Sequence, residues 1–474
     1  MAPQSTPQDL RAQFLVDFWQ PYPAWLRSPT SNQNIFGGRI TRLETHDSVK
    51  ILHLSPGLGR TELAINISQS RWLNLAPPVV TAPPEPWQVL QVGDLVQICL
   101  NADTAHSLSC SASEPDTLTA SSVAVTLLAP HLRAPLVPAC DYTRYRLWQR
   151  FLAAIRAHFV AHGFDEIITP TLVVNPGNEP FLDPFSTALT MPGCTQTLYL
   201  PTSPELSLKK ALAMGWRQIF EMRPCFRNGE WGPHHRPEFL MLEWYRAFSD
   251  LRAIEQDCRD LISATSQALG LVPPASWQRL SVQEALQKYV DPDFLLQPTT
   301  SRTELVQLAE KVGVAYRPDD SWDDLFFRIF LERIEHQLGE VSPTILFDYP
   351  PSQAALARLT PDGWADRFEI YWRGFELANA FHELNDPNEQ RRRLELDNQQ
   401  RRRLGKAPLP IDEEFLHALD CGLPPSGGIA LGVERLFLAL YHEQEIGRLR
   451  LFEQTAPETE SGCRTASYLS SDKR

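Results

Sequence analysis

Short runs in which apolar and polar residues alternate lie between residues 35 and 130. Proline- and serine-rich segments separate these runs, and this spacing predicts short β-strands joined by loops. The clearest runs between residues 35 and 130 read IFGGRITRL, SVKILHL, ELAINI, VGDLVQICL and SVAVTLLAP. They predict a small closed β-barrel domain at 35–130, preceded by an aromatic-rich lead-in at 1–34.

A helical period replaces this pattern in a second predicted domain, which extends from residue 131 to residue 456. Between Tyr142 and His162 the apolar positions 147, 151, 152, 155 and 159 form one stripe. This spacing predicts an amphipathic helix that ends at Gly163. The run FDEIITPTLVV then predicts a strand in which Pro170 lies at an edge or an interruption.

Two strand-like runs with a long loop between them lie at residues 218–250. Arg223 and Arg227 fall on one face of the first run, and Glu243 and Tyr245 fall on one face of the second. This alternation predicts two antiparallel strands. A surface with arginines and a carboxylate suits a cleft that holds a phosphate and an amine. Solvated charge on a surface sheet explains the pattern equally well.

A second hairpin is predicted at residues 368–386, with Arg373 and Gly374 as its turn. That turn pairs Trp372 with Phe375, Tyr371 with Glu376, and Ile370 with Leu377. Glu369 and Glu376 then lie on one face of the hairpin, with their backbones roughly 7–8 Å apart. Two such carboxylates are able to hold Mg²⁺ at a nucleotide's phosphates, and two exposed glutamates on an edge hairpin are the alternative.

Glu383 follows on the same strand. Strict alternation places it on the face opposite Glu376, so the strand has to bulge or end near Ala380 if both side chains enter one cavity. Residues 251–340 are predicted to be mainly helical scaffold. The polar tail at 457–474 is predicted to be disordered.

Composition narrows the class of protein. The 474 residues are 43% hydrophobic and 21% charged, which is typical of a globular chain of two to three domains. The net charge of −13 argues against broad capture of nucleic acid. None of the eight cysteines forms a CxxC pair, so reduced thiols in the cytoplasm are expected. Neither an export signal nor a membrane span is expected.

Three segments in order carry a family resemblance. FRN followed by HxPEF and MLEWY resembles motif 2 of class II aminoacyl-tRNA synthetases, the helix, glycine, strand and proline before it resemble motif 1, and GxALGxER in Pro424–Tyr441 resembles motif 3. The chain is similar over about residues 133–453 to the lysyl branch and to its paralogues, the ligases that attach β-lysine to elongation factor P. MLEWY favours the paralogues. The resemblance implies an α+β fold, an antiparallel sheet flanked by helices, and a homodimer formed through motif 1.

The resemblance implies ATP-dependent formation of an acyl-adenylate with ATP and Mg²⁺. Catalysis then falls to Arg227 at the α-phosphate and Arg435 at the γ-phosphate. His235 is implied at the phosphate tail and Phe239 against adenine. Glu369 and Glu376 are the implied ligands of Mg²⁺. Gly229 replaces a glutamate of the family, so the contact of that glutamate is either lost or supplied by Glu230.

The resemblance also implies a pocket for a diamino acid. Its implied residues are Glu205, Glu243, Tyr245, Asn379, Glu383 and Ala430. Ser203 is predicted to cap a helix that starts at Pro204 and places Glu205 in its first turn. Three glutamates beside one small-molecule pocket require a cationic substrate. Ala430 favours β-lysine over α-lysine, because lysyl-tRNA synthetases carry glycine there.

The implied acceptor is a lysine side chain of elongation factor P, and tRNA is not expected to be the acceptor. The predicted barrel is of the oligonucleotide-binding (OB) type, which lysyl-tRNA synthetases have and elongation factor P ligases usually lack. Its five basic and eight acidic residues between residues 36 and 130 disfavour RNA binding. A lysyl-tRNA synthetase and a non-catalytic synthetase-like protein remain alternatives.

A charged helix is predicted from Asn388, with arginine triplets at 391–393 and 401–403. Such a run is typical of a solvated helix face. The alternative is a docking surface for an acidic partner. Reversal of residues 401–403 to glutamate would then slow transfer to the acceptor and leave adenylate formation unchanged.

Overall fold

The structure is a computed structural model that describes residues 142–450, residue 452 and seven strands between residues 33 and 129. The chain forms two compact units, Met1–Arg146 and Leu147–Arg474. Most of the predicted lead-in and the whole predicted tail lie outside the described residues. The predicted domain boundaries stay predictions.

One sheet contains the seven described strands of the first unit. These strands are β1 (Gln33–His46), β2 (Val49–Ser55), β3 (Leu63–Asn66), β4 (Arg71–Trp72), β5 (Leu95–Asn101), β6 (Thr117–Thr119) and β7 (Ser122–Ala129). Their order is β4-β7-β5-β1-β2-β3-β6. Each predicted run overlaps one of the five longer strands of this sheet (β1, β2, β3, β5 and β7), so the prediction of strands is confirmed.

An eight-stranded sheet forms the centre of the second unit. Its strands are β8 (Asp165–Glu166), β11 (Gln218–Phe226), β12 (Glu238–Ala247), β13 (Gln278–Ser281), β14 (Thr344–Tyr349), β15 (Ala365–Trp372), β16 (Phe375–His382) and β17 (Ser426–Gly432). The order is β13-β14-β15-β16-β17-β12-β11-β8. The inner pairs are antiparallel, but β13 with β14 and β8 with β11 are parallel. The predicted antiparallel sheet is therefore mixed at its two edges. A separate hairpin contains β9 (Ser186–Met191) and β10 (Cys194–Tyr199).

Nine α-helices surround the sheet in the described part of the second unit. They are α1 (Tyr142–Ala161), α2 (Glu205–Ala213), α3 (Leu251–Ala268), α4 (Val282–Tyr289), α5 (Arg302–Val312), α6 (Trp322–Arg333), α7 (Pro387–Arg403), α8 (Glu413–Gly422) and α9 (Val433–Tyr441). Serine side chains cap α4, α5 and α6 in reciprocal capping boxes, which satisfy free amide groups at the helix starts. The predicted helical scaffold between the two hairpins is confirmed.

Helix packing covers one face of the central sheet. Phe159 of α1 lies 4.8 Å from the ring of Phe220 in β11 and 5.2 Å from that of Trp244 in β12. The side chains that alternate with Phe220 and Trp244 point to the other face. That second face holds Glu243 and Tyr245 and is the face on which the site residues lie.

The predicted strand after Gly163 is mostly wrong. Only Asp165 and Glu166 pair with β11, and the chain then leaves the sheet. Pro170 has no amide hydrogen to donate to a neighbouring strand. The carbonyl groups of Thr169 and Pro170 instead accept hydrogen bonds from Arg223 in β11. The first strand of motif 2 thus holds the motif 1 segment by side-chain bonds.

Membrane insertion through a helix finds no support in the described residues. None of their helices combines the length and the apolar character that a membrane span requires.

Candidate active site

Four of the predicted site residues lie in one row across the sheet. Glu369 of β15 pairs with Asn379 of β16, Asn379 with Ala430 of β17, and Ala430 with Glu243 of β12. Residues directly opposite one another project from the same face of a sheet. The row therefore joins the predicted metal site at one end to the predicted amine pocket at the other.

A bulge in β16 brings Glu383 to this face. The predicted pairs of Trp372 and Tyr371 are present, but Ile370 pairs with Ala378, so Leu377 is an extra residue. The predicted pairing of Ile370 with Leu377 is wrong. The extra residue shifts the alternation, so that residues 376, 379, 381 and 383 share one face. The required irregularity lies at Leu377 and not near Ala380, which is paired with Phe368.

Glu243 is fully buried at the centre of the amine pocket. Its carboxylate accepts hydrogen bonds from the Ser203 hydroxyl at 2.5 Å and from the Tyr245 hydroxyl at 2.8 Å. Burial and the neighbouring charge of Glu205 together raise the pKa of Glu243 to about 8. Ser203 acts differently from the prediction, because α2 begins at Glu205 and Ser203 bonds the Glu205 amide from outside the helix.

Lys209 occupies the pocket between two other predicted substrate glutamates. Its ammonium nitrogen lies 2.5 Å from Glu205 Oε1 and 2.5 Å from Glu383 Oε2, and its side chain is 0% exposed. Burial alone lowers the pKa of Lys209, but Glu205 and Glu383 outweigh burial and raise the pKa above its usual value. Sequence reasoning missed Lys209, although its position four residues after Glu205 was a usable signal.

Gly428 lets Glu383 and Tyr245 approach the backbone of β17. A Cβ atom at position 428 would lie 2.2 Å from Glu383 Oε1 and 2.2 Å from the Tyr245 ring. Burial raises the pKa of Glu383 to about 8, against the opposing charge of Lys209. Among the described residues, Glu383 Oε1 and Asn379 Oδ1 are buried oxygens with no hydrogen-bond donor. Both oxygens face the row and are available to a ligand's N–H groups.

Arg227 lies at the end of β11, where motif 2 leaves the sheet. Its guanidinium is 5.0 Å from the centre of the Phe239 ring, and its Nε is buried with no partner within the described residues. Gly229 has a φ of 83°, in the left-handed region that favours glycine. Glu230 Oε1 is 4.0 Å from Arg227 Nη1, so this carboxylate lies within ion-pair distance of the predicted α-phosphate arginine.

Arg435 meets the motif 2 loop from the other side. One of its nitrogens lies 2.7 Å from His235 Nε2, and another donates to the backbone carbonyl of Glu376 at 2.9 Å. The Arg227 amide closes the same loop by a 2.8 Å bond to the Pro237 carbonyl. Both predicted phosphate-binding arginines therefore border one loop.

Glu369 is held by three side chains that sequence reasoning missed. Arg367 bonds Oε1, and the hydroxyl groups of Tyr349 and Tyr371 donate to Oε2. Burial raises the pKa of Glu369, and the neighbouring charge of Glu376 raises it further against Arg367. The two predicted metal ligands are therefore close enough to interact.

Two arginines of the α7 triplets, Arg393 and Arg401, bond to backbone carbonyl groups of other segments. Arg401 is only 3% exposed and donates to the carbonyl groups of Glu179, Leu182 and Ala407. Arg393 likewise bonds backbone carbonyl groups at residues 355 and 357. The hypothesis of a docking surface that includes Arg401 is wrong, because that side chain fixes the loop at 179–183 beside the site.

Comparison with known proteins agrees with this geometry. A model of the family tRNA synthetases class II (D, K and N) matches residues 142–456. The chain is 41% identical over 307 residues to the elongation factor P–(R)-β-lysine ligase of Haemophilus ducreyi, a match that covers 64% of this chain and 91% of the relative. Ligases of the same name from Haemophilus influenzae and Klebsiella pneumoniae are 39% and 38% identical, each over 64% of this chain and 92% of the relative.

These matches confirm the predicted resemblance and the predicted class of activity, an ATP-dependent amino-acid ligase. The eight-stranded sheet with its flanking helices fits the core of a class II synthetase, which is the family that the model matches. The roles of the individual site residues stay predictions. This chain belongs to the class II tRNA synthetase family (D, K and N), together with the elongation factor P–(R)-β-lysine ligases that it matches over nine tenths of their length.

Proposed function

We propose that this protein activates (R)-β-lysine with ATP and joins it to a lysine side chain of elongation factor P. The observation that carries the proposal is one sheet face with buried carboxylates at one end and arginines at the other. The names of the matched relatives supply the identity of the amino acid and of the acceptor. ATP use follows from the family.

In the first step, the substrate carboxylate attacks the α-phosphorus of ATP. A bond from the carboxylate oxygen to phosphorus forms, the bond to the bridging oxygen of the β-phosphate breaks, and pyrophosphate leaves. A carboxylate is already a nucleophile, so the protein mainly positions the reactants and stabilises charge. Arg227 is suited to the α-phosphate, because its buried Nε has no partner among the described residues.

Arg435 and His235 are suited to the phosphate tail, and the Phe239 ring to the adenine face. The carboxylates Glu369 and Glu376 are oxygen donors of the kind that Mg²⁺ prefers, and Mg²⁺ usually takes only one or two carboxylates with the substrate's phosphates. A bound Mg²⁺ would neutralise phosphate charge. The donors on Glu369 fix its orientation before any ligand binds.

The amine pocket is suited to a substrate with two ammonium groups. Glu205, Glu243 and Glu383 bring three carboxylates, and Lys209 brings one positive charge to them. Two further positive charges would balance the pocket, which matches a diamino acid. Ala430 separates Glu243 from Asn379 in the row. Alanine at this position supports (R)-β-lysine as the substrate, because lysyl-tRNA synthetases carry glycine there.

In the second step, the acceptor amine attacks the acyl carbon. The bond to the AMP oxygen breaks, and the amine loses a proton as the amide forms.

A lysyl-tRNA synthetase is the second candidate, because the N-terminal strand order favours an OB-like barrel. The order begins with β4 and β7 and ends with β6, and only residues 120 and 121 separate β6 from β7 in the chain. Strands so close in sequence at opposite ends of a sheet are expected in a closed barrel.

The deciding experiment offers both acceptors to the protein at once. The protein is incubated with ATP, each lysine isomer, tRNA and elongation factor P, and the masses of both acceptors are measured. A mass increase of elongation factor P with (R)-β-lysine supports the proposal. Acylation of tRNA alone replaces it with the second candidate, and no pyrophosphate exchange with any amino acid indicates a binding protein.

A homodimer in the cytoplasm completes the proposal. The motif 1 region exposes large apolar side chains, which favour a protein partner. They are Ile168, Leu172, Val174, Leu189 and Met191. Ile168 is 91% exposed. Replacement of Ile168 and Leu172 by glutamate is expected to give a monomer in sedimentation velocity, and an unchanged dimer would place the interface elsewhere.

A further inference from the structure

Lys209 is a fully buried lysine whose role the two reaction steps leave open. It lies on α2 between two core residues, Leu208 and Ala211, which are also buried. Its ammonium group nevertheless reaches two carboxylates at 2.5 Å each. A long flexible side chain that loses all its exposure needs strong compensation, and the two ion pairs provide it.

The two partners of Lys209 come from different parts of the fold. Glu205 lies one turn earlier on the same helix, and Glu383 lies just after β16, where its amide donates to Ser426 at 2.9 Å. Without a cation between them, two carboxylates within reach of one point would repel each other. One of them would then move away or take up a proton.

We propose that Lys209 is a positioning residue that holds Glu205 and Glu383 where they receive the ammonium groups of the substrate and favours the ionised form of both. This inference rests on the proposed function, because it assumes a diamino acid in the pocket. Lys209 acts through its two glutamates and does not touch the reacting atoms. Its charge favours the ionised form of these carboxylates, in which both oxygens accept hydrogen bonds and neither carries a proton.

Four groups face Lys209 or its partners and set the pH dependence. They are Glu205 on α2, Glu243 and Tyr245 on β12, and Glu383 after β16. Removal of the lysine charge raises the pKa of Glu243 and Glu383 further, because the charge of Lys209 lowers both. At pH 7 the pocket of a variant without this charge then holds more protons than the wild-type pocket, and these protons compete with the ammonium groups of the substrate. At higher pH the carboxylates ionise again and binding recovers.

The test compares Lys209→Met, Lys209→Arg and the wild type by pyrophosphate exchange with (R)-β-lysine between pH 6.5 and 9.5. For Lys209→Met we expect KM to rise at least about tenfold at pH 7, kcat to change by less than about threefold, and KM to fall toward the wild-type value as pH rises. Lys209→Arg keeps the charge and should keep the wild-type shape of the pH profile. A KM for Lys209→Met that is unchanged, or raised equally at every pH, overturns the inference.

A measurement without substrate separates this inference from the proposed function. The melting temperature of Lys209→Met should fall further below that of the wild type as pH rises from 6 to 9, because uncompensated carboxylates then have to ionise inside the protein. Lys209→Met with Glu383→Gln should lose most of that extra pH dependence. Parallel melting curves overturn the role of Lys209, whereas a wild type without diamino-acid-dependent exchange overturns the proposed function alone.

Discussion

The amine end and the phosphate end of the sheet face carry opposite charges and are prepared for their ligands in different ways. At the amine end, Lys209, Ser203 and Tyr245 already engage the carboxylates. At the phosphate end, Arg227 keeps a buried Nε without a partner in the described part of the chain. The first end is largely compensated before substrate arrives, and the second is not.

Burial explains the difference. Glu243 and Glu383 are 0% and 1% exposed, so their charges have to be balanced inside the protein. The side chain of Arg227 is 24% exposed and is solvated at its outer edge. A protein therefore tolerates a phosphate-binding cation with weak partners at the mouth of a cleft more easily than unpaired carboxylates at its base.

The largest effect is expected at the phosphate end. Arg227→Ala removes the cation that is proposed to bind the α-phosphate, so adenylate formation should fall by about 10²–10³-fold. Pyrophosphate exchange with saturating amino acid measures this loss. Stability should change little, because the arginine has few protein partners.

Arg402→Ala is the matched control for Arg227→Ala, since it removes an exposed guanidinium from the C-terminal turn of α7. Its exchange rate should equal that of the wild type. A similar loss in both variants would mean that general charge, and not the site, controls the rate.

At the amine end, Gly428→Ala is expected to have the next largest effect. The added methyl group would meet Glu383 Oε1 and the Tyr245 ring at 2.2 Å, so both have to move. A shift of about 1 Å in a positioned group can cost about 10²-fold in kcat/KM. The loss should appear in kcat/KM for the diamino acid while the Kd for ATP stays constant. Equal loss of ATP binding would contradict the separation of the two ends.

The fold was largely predictable because its signals are local. The stripe of α1, the turn at Arg373 and the runs of the N-terminal sheet depend on neighbouring residues. The bulge at Leu377 does not, because it is set by how β16 fits between β15 and β17. Alternation alone therefore placed Glu383 on the wrong face.

Sequence reasoning named candidate site residues only where a family motif named them, and it missed side chains that the tertiary structure places beside them. Lys209 reads as an ordinary helical lysine, and only the tertiary structure shows that Glu383 reaches it from another element. Tyr349 belongs to β14 and lies 20 residues before Glu369, so nothing in its own segment indicates the contact. The prediction for Arg401 failed for the same reason, since charge in a sequence does not reveal burial.

A smaller effect, on stability alone, is expected from the arginines of α7. Arg401→Ala leaves the carbonyl groups of Glu179, Leu182 and Ala407 without their donor and should cost about 2–3 kcal/mol. Arg403 is exposed and ends the same helix. The free energy of unfolding of Arg403→Ala should stay within about 0.5 kcal/mol of the wild-type value. Urea unfolding measures both. An equal loss of unfolding free energy in both variants would indicate that α7 is uniformly solvated.

The smallest effect is a pH dependence at the amine end. Burial raises the pKa of Glu243 to about 8, so the folded protein keeps a proton that the unfolded chain has released above about pH 5. The folded state binds more protons over this range, and stability therefore falls as pH rises from 5 toward 8. We expect a slope of about 1 kcal/mol per pH unit between pH 6 and 8 in urea unfolding. Glu243→Gln has no such proton to lose and should show a shallower slope, and identical slopes would mean that Glu243 is already ionised, with Lys209 offsetting its charge as well.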